Sequence, residues 1–86
     1  MSEGDSAREQ TMTELTLLLL YLASWEEEPF RGAPTIHRAW KTHRFEILDV
    51  LAEEGLLMST HGSKSVDFTA DGLAKARVLQ KKYLGS

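Results

Sequence analysis

The run from Phe45 to Leu84 carries a closely spaced series of start and stop signals. A helical pattern ends in Glu53-Glu54-Gly55 and passes into Leu56-Leu57-Met58. A polar turn follows at His61-Gly62-Ser63-Lys64, and then the short alternating segment Ser65-Val66-Asp67-Phe68. Thr69-Ala70-Asp71-Gly72 opens a final helix. Glycine just past a helix supplies the left-handed residue that ends it, and threonine just before one supplies a capping oxygen. Few architectures accept a helix, a glycine stop, a short hairpin and a capped helix in that order.

That order is the order of a winged-helix domain. With the segments upstream, the sequence predicts a mainly α chain with a small β-hairpin, arranged α-α-α-β-β-α. Residues 1–10 are polar and small and read as a flexible tail; residues 11–84 read as the single domain. Thr11-Met12-Thr13-Glu14 fits a capping box, so the first helix is expected from Thr11 to about Glu27, before Pro29. Ile36 to Lys41 is expected as a short second helix carrying Trp40. Thr42 is the expected cap of a third, ending at Glu54.

The first helix is apolar on most of its circumference. Leu15, Leu18, Leu22 and Trp25 recur at helical spacing and form the expected core stripe, while Leu17, Leu20 and Tyr21 lie across from it. A helix greasy on two sides needs two covers. Leu17, Leu20 and Tyr21 are therefore the candidate interface of a two-fold homodimer, to which the small-residue face of the last helix would add. The plain alternative is that the chain's own core fills both.

Composition narrows the classes. The chain has 86 residues, 42% apolar and 27% charged, which suits one small globular domain. With no cysteine there is no disulfide framework and no thiolate nucleophile, as fits a reducing cytoplasm. The longest apolar run, Leu17 to Ala23, is short of a membrane span, and no signal-peptide pattern precedes it. A cytoplasmic protein is expected, without cofactor, metal, membrane or small-molecule substrate.

Two resemblances sharpen the fold expectation. Val66-Asp67-Phe68-Thr69-Ala70-Asp71-Gly72, followed by Ala74 and Ala76, resembles the strand-to-helix junction of many bacterial winged-helix regulators. Four longer segments go further: Leu15 to Leu22 with Ser24-Trp25, Ala39-Trp40-Lys41, Phe45-Glu46-Ile47-Leu48 and Glu53-Glu54-Gly55-Leu56. With Lys64-Ser65-Val66 and Thr69, they resemble a family of small bacterial proteins known as domain of unknown function 6429, over roughly residues 12–84. Thr42-His43-Arg44 departs from that pattern, which has a glycine, an aromatic and an acidic residue there. The resemblance implies a winged-helix-like fold and carries no activity with it.

Catalysis is not expected. The chain has no glycine-rich phosphate loop and no serine in a strand–turn–helix elbow. His37, His43 and His61 have no ligand-type spacing, and Glu26-Glu27-Glu28 lacks the glycine-turned loop of a calcium site. DNA binding is the stronger candidate. Arg31, Arg38, Lys41 and Arg44 fall between Pro29 and Phe45 with no acid among them, and Lys64 lies at the hairpin turn. Arg38, Lys41, Arg44 and Lys64 are the candidate phosphate contacts. Against this, Glu46, Asp49 and Glu53 share one face of the third helix, and such a face repels phosphates. The reading favoured by sequence is a non-enzymatic module acting through protein contacts as a homodimer, with a DNA-binding regulator as the alternative.

Overall fold

A computed structural model of the chain describes residues 3–41, 45–59, 62 and 64–85. The elements are α1 (Glu3–Leu22), β1 (Trp25–Glu27), β2 (Ile36–Trp40), α2 (Phe45–Glu53), β3 (Leu57–Ser59), β4 (Ser65–Phe68) and α3 (Ala70–Leu84). The strands form one antiparallel sheet in the order β1-β2-β4-β3. The protein is mixed α/β in the order α-β-β-α-β-β-α, so the expected α-α-α-β-β-α order is corrected.

The second half follows its signals closely. Gly55 has φ +77°, and its N–H donates to Ala52 O while that of Leu56 donates to Leu51 O. This double bond pattern closes α2 and turns the chain into β3. Thr69 then ties the end of α2 to the start of α3. Its Oγ1 accepts from the Gly72 N–H at 2.9 Å and donates to Gly55 O at 2.6 Å, and its own N–H donates to Leu56 O. The expected cap at Thr42 lies outside the described residues.

The first half differs from expectation at three places. First, α1 begins at Glu3, so Thr11 sits inside the helix and no capping box forms. Glu14 instead points at α3, where it accepts from Lys82 Nζ at 2.9 Å and Tyr83 Oη at 2.7 Å. Second, α1 ends at Leu22, and Trp25 to Glu27 is a strand. The glutamates thereby leave the negative end of the helix dipole, where they would be unfavourable. Third, Ile36 to Trp40 is the strand β2 rather than a helix, because β1 and β4 flank it on both sides.

The helices cover one face of the sheet. Ala39, Leu57, Val66 and Phe68 point into them and are buried, and Leu17, Leu18, Leu20, Leu48, Leu51 and Leu79 meet them there. Leu17 is only 1% exposed and Leu20 2%. Tyr21 is half-buried with its ring edge-on to Phe68, centroids 6.1 Å apart. The three candidate interface residues thus pack inside their own chain. Leu15 and Leu22, expected in the core, are exposed, while Leu18 is buried as expected. Periodicity found both stripes of α1, but of the expected core stripe only Leu18 faces inward, while Leu17, Leu20 and Tyr21 turn to the core. Trp25, which anchored the chosen stripe, is not on the helix at all.

Candidate protein-binding face

Strand alternation sends Trp25 and Glu27 of β1, Ile36, Arg38 and Trp40 of β2, Ser65 and Asp67 of β4, and Met58 of β3 to the face away from the helices. The register aligns four of them in one row across the sheet. Trp25 pairs with Arg38, Arg38 with Asp67, and Asp67 with Met58. Trp40 stands diagonally beside Trp25, ring centroids 5.2 Å apart at 46°. Trp40 is 65% exposed and Met58 57% exposed. This is an apolar, aromatic surface left uncovered on the sheet.

Its charges are already matched to one another. Arg38 Nε donates to Asp67 Oδ1 at 2.8 Å, and Nη1 donates to Glu27 Oε2 at 2.7 Å. The hydrogen bond to Asp67 does most to raise the guanidinium's pKa, burial opposes it, and Glu27 adds to the rise. Two carboxylates on one guanidinium leave this part of the face slightly negative. A surface whose charges are internally paired is less costly to dehydrate than one with free charges.

The candidate phosphate contacts divide. Arg38 sits between two acids on the open sheet face. Lys41 and Lys64 meet at one end of the sheet, where the Lys41 N–H donates to Lys64 O at 2.8 Å. Arg44 lies outside the described residues. The acidic residues of α2 behave as read from sequence: Glu46, Asp49 and Glu53 are all exposed.

Trp25, Met58 and the Glu27–Arg38–Asp67 network were not foreseen as a site. The available signal was the alternation of Ile36, Arg38 and Trp40 with His37 and Ala39, which has the period of a strand. His37 shows the other side of that alternation. It points toward the helices, with Nε2 3.3 Å from Glu26 Oε1.

Comparison with known proteins gives one finding. The family described as Domain of unknown function (DUF6429) matches the chain over residues 8–86. No curated protein and no solved structure matches significantly. Among the described residues, no helix is long and apolar enough to cross a membrane.

Proposed function

The chain belongs to the DUF6429 family, and we propose that it is a non-enzymatic binding module that works through protein contacts as a homodimer. One observation carries the reading: two tryptophans and a methionine lie on an uncovered sheet face whose central arginine is already neutralised. Aromatic and methionine side chains on a surface of low net charge are the usual anchors of protein recognition. The reading takes the protein as cytoplasmic, in keeping with a chain that contains no cysteine.

Kinship with winged helices belongs to the same proposal. It is supported by α2, the β3–β4 hairpin and α3, which follow one another as a recognition helix, wing and closing helix do. The β1–β2 hairpin takes the position of the helix that would complete a helix-turn-helix. A DNA-binding regulator remains the second reading, favoured by the proximity of Lys41 and Lys64.

Fluorescence anisotropy with a labelled mixed-sequence duplex separates the two. The expected dissociation constant is no tighter than ~10⁻⁴ M at physiological salt, the weak end of the non-specific range. Selection from a random duplex pool is the companion experiment, and no site should be enriched. Enrichment of a palindromic site, lost on Lys41→Glu, would overturn the protein-contact reading.

A further inference from the structure

We propose that the groove between α1 and α2 is a second docking surface, and that its occupant is a basic amphipathic helix of another protein. The groove lies on the helix side of the sheet, so the inference goes beyond the open-face reading and does not depend on it. Its first hollow, about 290 Å³, is lined by Glu9, Met12 and Thr13 of α1 and by Glu46, Ile47 and Val50 of α2. A second hollow of about 400 Å³ shares Glu9, Thr13 and Val50 with the first and continues it toward Glu54 and Lys75.

The floor is apolar and the rim is acidic. Met12, Ile47 and Val50 make the floor, with Ile47 9% exposed and Val50 41%. Glu46, Val50 and Glu54 follow at intervals of four, and the Glu54 N–H donates to Val50 O at 3.0 Å, so the three stand in one row. Glu9 stands opposite them on α1. Among the described residues that line the groove, Glu9, Glu14, Glu46 and Glu54 face one cation, Lys75. Lys82 and Tyr83 hold Glu14, and Lys75 lies near enough to help lower its pKa. Glu9 and Glu54, both exposed, set the sign of the rim.

This pattern selects the occupant. An apolar floor between two helices takes the apolar stripe of a third, and carboxylates on both sides take the lysines or arginines that flank such a stripe. Nucleic acid and acidic segments are repelled. A second copy laid groove to groove would set glutamates against glutamates. Covering the groove strands no polar group at Thr13, whose hydroxyl already donates to Glu9 O at 2.9 Å.

Two labelled peptides of leucine and lysine, each about 14 residues long, test the proposal by fluorescence anisotropy. One carries its leucines at helical spacing, and the other has the same composition shuffled to remove the stripe. The first should bind at least about tenfold more tightly than the second. Val50→Lys and Glu9→Lys should each weaken it several-fold. Glu9→Gln, which removes the charge and leaves the floor untouched, serves the same purpose if those variants fail to fold. Glu28→Lys makes the same change in net charge at an exposed residue that lines neither hollow, and should have little effect. Trp40→Glu should have none.

Equal affinity for the two peptides, or equal losses in Glu28→Lys and Glu9→Lys, would mean that net charge alone attracts them, and would overturn the proposal. Binding lost on Trp40→Glu and kept on Val50→Lys would move the contact to the open sheet face and overturn it too. Sedimentation velocity of the protein alone covers the remaining occupant. A dimer abolished by Val50→Lys would put a second copy in the groove, against the proposal.

Discussion

Gly72 lies so close to Leu56 that a Cβ built on it would collide with the Leu56 carbonyl oxygen and sit 2.9 Å from the carbonyl carbon. The backbone of α3 thus rests directly on the turn that follows α2. This contact explains the glycine in the hydrophobic–x–hydrophobic–Thr–x–x–Gly pattern: Thr69 joins the two helix ends and Gly72 lets them meet. Gly72→Ala should destabilise the fold by about 3 kcal/mol or more, the upper end of overpacking costs, because backbone cannot rotate aside. Urea unfolding measures this, and a midpoint equal to the parent's would contradict the packing.

Gly55 makes a separate demand. Its φ of +77° is left-handed, and nothing lies within 4 Å of a Cβ placed there. The strain in Gly55→Val is therefore conformational rather than steric. A loss of ~1 kcal/mol or more is expected, the usual cost of a left-handed residue. A variant that melts with the parent would put the end of α2 elsewhere.

Glu14 should make the fold acid-sensitive. The hydrogen bond from Lys82, and then that from Tyr83, holds its carboxyl below the ordinary value of 4.5. A carboxyl lowered by folding contributes its full stability above the unfolded pKa and loses it as pH falls through the folded one. The urea midpoint of the parent should fall more steeply below about pH 4.5 than that of Glu14→Gln. Parallel curves for the two proteins would show that the Glu14 contacts add nothing.

Gly55, Thr69 and Glu14 mark how far the sequence could be read. Gly55 and Thr69 act through bonds to near neighbours, so glycine and threonine at those places announce the helix end and the helix start. Glu14 looked local, three residues after Thr11, but its partners are on α3, which no pattern of spacing reveals. Ile36 to Trp40 is a strand because β1 and β4 pair with it from distant parts of the chain. A five-residue apolar and basic stretch cannot announce such partners, and short segments of this kind suit helix or strand equally. Leu17 and Leu19 show the same limit on α1. Both lie on apolar stripes, and only packing against the sheet decides which is buried. The open sheet face was illegible for the same reason, since its row from Trp25 to Met58 exists only once four strands are in register.

The uncovered face gives a prediction about charge. Arg38 is held by Glu27 and Asp67, so on the reading proposed above it is not offered to phosphates. Arg38→Ala should leave residual binding to duplex DNA unchanged, and Glu46→Gln with Asp49→Asn should strengthen it by removing repulsion. A several-fold loss of duplex affinity in Arg38→Ala, by fluorescence anisotropy, would mean that the arginine leaves its carboxylates for DNA.

The claim that the open sheet face meets a protein is tested most directly by site-specific photo-crosslinking. A benzophenone amino acid at Met58 should yield discrete protein adducts in an extract of the source cells, insensitive to nuclease and abolished by Trp40→Glu. The same probe at Lys81, exposed on α3, should yield none of them. Adducts at Met58 that nuclease removes, or that persist unchanged in Trp40→Glu, would contradict the account.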